Sequence, residues 1–187
     1  NYIWFTIGGA TGVKKWKVGE TTITTKGNSN GECKTIQVSK DGQVFEIGEI
    51  KIKVLHTPGH TMESSTFLLI NEQGKEEAIF SGDTLFLGDV GRPDLAQKAA
   101  DMTQDQLAGM LYDSLMTKIM PLADDVTVYP AHGAGSACGK NMMKETVDTL
   151  GNQKKMNYAL NQPNKEAFIA AVTDGLLPPP AYFGHNV

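Results

Sequence analysis

Apolar and polar residues alternate along Ile50-Lys51-Ile52-Lys53-Val54-Leu55, the period of a strand with one buried face. Only Gly48-Glu49 separates this run from the β-rich residues 44–47, so the two read as a tight hairpin. Ser65-Thr66-Phe67-Leu68-Leu69-Ile70 and Ala78-Ile79-Phe80-Ser81 form a second hairpin-like pair around Gln73-Gly74. The spacing then becomes helical. Leu107, Met110, Leu111, Leu115 and Ile119 fall on one stripe, Thr103 with Gln106 has the capping-box pattern, and Pro121 stops the helix. A strand is predicted over residues 126–129, followed by a helix over residues 140–150 ended by Gly151. Asn164 caps a last short helix through Ala167, Phe168, Ala171 and Val172, with Gly175 as its stop. Upstream of Thr35 the patterning is weak: residues 2–7 read as a buried strand closed by Gly8-Gly9, residues 21–25 as β-prone and residues 26–31 as a loop. Strands followed by strands mixed with helices make a layered α/β arrangement. One domain is expected over residues 1–177, with residues 178–187 as a Pro-rich tail or linker.

Composition narrows the classes. At 187 residues the chain suits one substantial domain, and 40% hydrophobic with 20% charged residues is that of an ordinary globular protein. A net charge of -4 offers no electrostatic ground for nucleic-acid or anionic-membrane binding. No run is apolar enough to span a membrane and no signal sequence opens the chain, so a cytoplasmic location is expected. Cys33 and Cys138 lie far apart, which argues against a disulfide framework and for a reducing compartment. The chain opens on Asn rather than Met and so reads as a processed chain or a fragment.

Candidate chemistry gathers where strands end. His56-Thr57-Pro58-Gly59-His60-Thr61 follows one strand, Ser81-Gly82-Asp83-Thr84 another, and Tyr129-Pro130-Ala131-His132-Gly133 a third. Pro-Gly, Gly or Pro ends the strand at these three places in turn and exposes His60, Asp83 and His132 on loops with rigid neighbours. An isolated loop histidine usually makes only a local hydrogen bond, and an isolated Gly-Asp-Thr usually caps a turn. Three such residues at strand ends together point to a metal site, whose two histidines and one carboxylate suit a non-haem Fe(II) oxygenase; further ligands would favour zinc. His56 reads as strand-end packing or as an outer partner of the site, and His185 as an exposed residue of the tail. Arg92 in Gly91-Arg92-Pro93-Asp94 has two even readings, a grip on an anionic substrate or a structural pair with a carboxylate. Cys138 reads first as a small packed residue, and the Gly-rich loop around Ser136 and Cys138 has backbone N–H groups suited to a substrate carboxylate.

On these motifs the sequence resembles the metallo-β-lactamase superfamily. Gly88-Asp89-Val90-Gly91-Arg92-Pro93-Asp94-Leu95 and His132-Gly133-Ala134-Gly135-Ser136-Ala137-Cys138-Gly139-Lys140 are similar to its persulfide dioxygenase branch, in the bacterial form followed by rhodanese domains. The resemblance covers about residues 41–183 and implies a four-layer αββα sandwich with its metal at one edge of the sheets. It implies one Fe(II) held by two His and one Asp, with His60 and Asp83 on two of those positions. His132 falls where hydrolytic members place a second-metal ligand, and Arg92, Ser136 and Cys138 become substrate-binding candidates. The implied reaction oxidises the terminal sulfur of a low-molecular-weight thiol persulfide with O2 and releases sulfite. The alternatives are a zinc-dependent thioester hydrolase of the glyoxalase II kind and a non-catalytic fragment or assembly module.

The family's first metal motif, T-H-x-H-x-D-H, has no counterpart, because the only histidines are His56, His60, His132 and His185. The fold is therefore expected to be incomplete at the N-terminus, with one iron ligand unsupplied and apolar sheet surface uncovered. Residues 1–187 alone are expected to be inactive or nearly so, with a homodimer as one route to compensation.

Overall fold

The computed structural model describes residues 39–176, together with the backbone of two upstream strands, β1 (Ile23–Lys26) and β2 (Cys33–Ile36), which pair antiparallel. The strand expected over residues 2–7, the Pro-rich tail and His185 lie outside the described residues.

The two sequence-predicted hairpins are present and adjoin. β3 (Val44–Ile47) pairs with β4 (Ile50–His56) around Gly48-Glu49, with Ile47 opposite Ile50 and Gly48 at φ 64 as the turn requires. β5 (Ser65–Ile70) pairs with β4 on one side and β6 (Glu76–Gly82) on the other, both antiparallel. β7 (Thr127–Pro130) then joins β6 in parallel, and the two-residue β8 (Asp148–Thr149) closes a six-stranded sheet of order β3-β4-β5-β6-β7-β8. A parallel pair needs a crossover. Here it is supplied by the short α1 (Gln97–Ala100) and by α2 (Gln104–Ser114), which continues as a π-helical turn over Leu115–Ile119.

The capping box predicted at Thr103 forms in full, with the Thr103 side chain accepting from Gln106 N and the Gln106 side chain from Thr103 N. Leu107, Leu111, Leu115 and Ile119 on the predicted stripe are buried, and α4 (Lys165–Thr173), capped by Asn164, packs across α2 with Tyr112 edge-on to Phe168. These helices and Leu68, Ile79 and Val128 of the sheet share one apolar core. Alternate sheet residues point the other way: Phe80 and Tyr129 stack with centroids 5.5 Å apart and remain 43% and 44% exposed.

The helix expected over residues 140–150 is absent. Residues 140–147 are irregular, Asp148–Thr149 is strand, and α3 (Leu150–Met156) begins where the predicted helix was to end. The N–H groups of Lys140 and Asn141 go instead to Asp89, and the helix starts after Thr149, whose side chain accepts from Asn152 N. Among the described residues no helix is long and apolar enough to cross a membrane.

Candidate metal centre

β4, β6 and β7 run in the same direction, since β5 is antiparallel to both β4 and β6 and β7 is parallel to β6. Their C-terminal ends therefore lie at one edge of the sheet, where they deliver His60, Asp83 and His132. Gly59 makes the first loop possible. At φ 141, a Cβ there would lie 2.5 Å from Leu111 Cα and N, so only glycine lets the loop rest on α2. Ser114 Oγ donates to Pro58 O at 2.8 Å from the same helix. Buried Thr57 shares hydroxyl hydrogen bonds with Thr84 (2.8 Å) and Thr66 (3.3 Å), tying the loop after β4 to the loop after β6.

His60 is 7% exposed, and its Nδ1 lies 2.8 Å from Arg92 O. A carbonyl oxygen only accepts, so Nδ1 carries the proton and Nε2 presents either a lone pair or a second proton to whatever faces it. What faces it is Asp83 Oδ2 at 3.3 Å, while His132 Nε2 stands 3.4 Å from Asp83 Oδ1. Burial alone would raise the Asp83 carboxyl, but the hydrogen bond and charge of His60 and the charge of His132 outweigh it and hold the group below its ordinary value. An imidazole nitrogen and a carboxylate oxygen opposed in this way need a proton or a cation between them. Two donors each about 2.05 Å from one tetrahedral ion stand about 3.3 Å apart. The donor types and their spacing thus fit a divalent metal. Cys138 joins them, with its ligating atom and those of His60 and Asp83 all within 4.8 Å of one another. An open cleft of about 280 Å³ lined by His60, Thr61, Ser64, Phe67, Gly82 and Asp83 adjoins the centre.

The remaining candidates make the following contacts. His56 is buried, its Nε2 donating to Met62 O at 2.8 Å, so it packs the strand end. Arg92 is buried and forked onto Asp94 through Nε and Nη2, both at 2.7 Å, with Nη1 on Ala137 O. The structural pair with a carboxylate is thus present. Ser136 Oγ accepts from Cys138 N at 3.1 Å and shapes the loop.

Sequence reasoning missed Asp89, Gln153 and Asn157. Buried Asp89 accepts from the N–H groups of Val90, Lys140 and Asn141 and from Tyr158 Oη, while Gln153 accepts from Gly88 N and Asn157 donates to Asp89 O. Two buried amides four residues apart, one in α3 and one at its C-cap, were the available signal.

Sheet, helices and polar edge together define the metallo-β-lactamase fold, the αββα sandwich expected from the motifs; the described residues supply a six-stranded sheet with its helices and the separate β1–β2 pair. A metallo-beta-lactamase from Staphylococcus aureus subsp. aureus COL superposes with TM-score 0.69 at 36% identity, covering 79% of this chain and 42% of that one. ETHE1 from Myxococcus xanthus superposes with TM-score 0.61 at 30% identity, covering 85% and 63%. In sequence the chain is 36% identical over 122 residues to a hydroxyacylglutathione hydrolase of Francisella philomiragia subsp. philomiragia, which is 65% of this chain and 42% of that protein. It is 27% identical over 123 residues to the hydroxyacylglutathione hydrolase GloC of Haemophilus influenzae, 66% of this chain and 47% of that one. The chain spans less than half the length of these curated relatives. No protein-family model matches. Together these likenesses support the metallo-β-lactamase superfamily for this chain.

Proposed function

We propose that the chain is a metal-binding domain of the persulfide dioxygenase kind, with its ion between His60 and Asp83. One observation carries this reading. The two segments that resemble that branch, residues 88–95 and 132–140, pack on each other beside the candidate centre. Arg92 N donates to Cys138 O at 3.1 Å, Arg92 Nη1 to Ala137 O at 3.2 Å, and Lys140 N to Asp89 Oδ2 at 2.6 Å. Residues distant in sequence thus pack together behind His60 and Cys138, while the adjoining open cleft, lined from the loops after β4 and β6 and by Phe67, suits a small molecule. When bound, Fe(II) supplies the redox chemistry that joins O2 to sulfur. The protein's part is to hold His60 in one tautomer through Arg92 O, to keep Asp83 ionised, and to leave a face open toward Phe67 and Ser64. Thiol persulfide, O2 and water then give thiol and sulfite. With His56 committed to Met62 O, few imidazole donors remain, and turnover by residues 1–187 is expected to be slow beside metal binding.

The hydroxyacylglutathione hydrolases among the relatives favour a second reading, zinc-dependent hydrolysis of a glutathione thioester. Anaerobic loading with Fe(II) or Zn(II), followed by assays on glutathione persulfide and on lactoylglutathione, separates the two. Equal O2 uptake and sulfite release supports the first reading. Thioester hydrolysis without O2 uptake supports the second, and a metal-loaded chain inert to both overturns both.

A further inference from the structure

The loop after β7 brings a thiol to the centre. We infer that Cys138, and not His132, is the third protein ligand of the ion held by His60 and Asp83. The inference rests on the metal centre proposed above. Among the described residues, His60, Asp83 and Cys138 are the side chains whose ligating atoms all lie within 4.8 Å of one another. His132 stands outside that group. It approaches the opposite carboxylate oxygen, Oδ1, from a side chain 43% exposed, whereas the buried His60 faces Oδ2.

A second observation concerns the backbone. Arg92 orients both residues at once, because its carbonyl accepts from His60 Nδ1 at 2.8 Å and its N–H donates to Cys138 O at 3.1 Å. Cys138 N is fixed on Ser136 Oγ, and the next two residues but one, Lys140 and Asn141, are fixed on Asp89 Oδ2 at 2.6 and 2.7 Å. Gly139 packs closely, since a Cβ would lie 2.6 Å from the flexible Met142 Cε and 3.0 Å from Asp89 Oδ2. A thiol held from both sides and aimed at a His–Asp pair is preorganised for ligation.

Ligation would exchange the Cys138 S–H bond for a sulfur–metal bond, the proton leaving to water, with no change of oxidation state. Three protein ligands of mixed N, O and S type keep one position open for a sulfur substrate and suit iron, cobalt or zinc.

The test is Co(II) titration of the metal-free chain under anaerobic, thiol-free reducing conditions. Visible d–d bands accompanied by an intense near-ultraviolet sulfur-to-cobalt charge-transfer band are expected in the wild type and in His132→Ala. Cys138→Ser, with its fold checked by circular dichroism, is expected to lose the charge-transfer band and to bind cobalt at least about tenfold more weakly. Wild-type d–d bands without charge transfer would overturn the ligation by Cys138 and leave the His60–Asp83 centre standing. A charge-transfer band surviving in Cys138→Ser overturns it too, because Cys33 would then be the source. No cobalt spectrum at all overturns the metal centre and this inference with it.

Discussion

Replacing Asp89 by Asn tests whether one buried carboxylate organises the wall of the site. Asp89 is 1% exposed; its Oδ2 accepts from Lys140 N (2.6 Å) and Asn141 N (2.7 Å), and its Oδ1 from Val90 N (2.8 Å) and Tyr158 Oη (2.9 Å). Asparagine keeps the shape but exchanges one acceptor for a donor. With its nitrogen toward Lys140 and Asn141, two N–H groups would meet a donor. The flipped amide is better, because the Tyr158 hydroxyl can turn and accept, leaving only Val90 N unpaired. An unpaired buried N–H costs about 1–3 kcal/mol, and the lost charge on the two remaining bonds about 1 kcal/mol each. The sum is about 3–5 kcal/mol, a large part of a typical domain stability of about 5–15 kcal/mol. Urea unfolding followed by far-ultraviolet circular dichroism measures it. Metal affinity of the still-folded variant should fall as well, since the same bonds hold the loop of Cys138. A change below about 0.5 kcal/mol with unaltered metal affinity would refute the reasoning.

Gly59→Ala combines a left-handed φ with a collision against the backbone of α2, and a loss of about 3 kcal/mol or more in the same unfolding assay is expected. Arg92→Lys removes the fork onto Asp94, so lower thermal stability and weaker metal binding are expected together; an unchanged melting temperature with only a raised KM would restore the substrate-gripping reading. Asp41 and Asp148 should shape the acid limb. Burial would raise each carboxyl, but hydrogen bonds from Lys118 and His56 N to Asp41, and from Asn152, Gln153 and Thr149 N to Asp148, hold both below the ordinary value. Their contribution is therefore complete above about pH 4 and disappears as pH falls through the lowered values. An Asp41→Asn, Asp148→Asn double variant should show a shallower loss of stability in acid, and an identical slope would count against it.

The hairpins and the α2 stripe were legible because their signals are local: Gly48-Glu49 between β-rich runs, and a capping box ahead of a buried stripe. His60, Asp83 and His132 were legible for a related reason, since Pro and Gly at strand ends mark where loops present side chains. The helix expected over residues 140–150 is absent because the N–H groups of Lys140 and Asn141 go to Asp89 and that of Met143 to Leu87 O, some fifty positions away, which no local pattern encodes. The approach of Cys138 to Asp83 is likewise tertiary, set by the Arg92 backbone rather than by any spacing. The fork of Arg92 onto Asp94 is a matter of side-chain geometry that the spacing of two residues leaves open.

The central claim is that this chain holds an ion between His60 and Asp83. Its most direct test is the metal content and affinity of the anaerobically loaded chain, measured beside His60→Gln and Asp83→Asn. About one ion per wild-type chain, with affinity reduced at least about tenfold in each folded variant, is the predicted result. A folded wild-type chain that retains no iron, zinc or cobalt, or variants that bind as tightly as it does, would contradict the account.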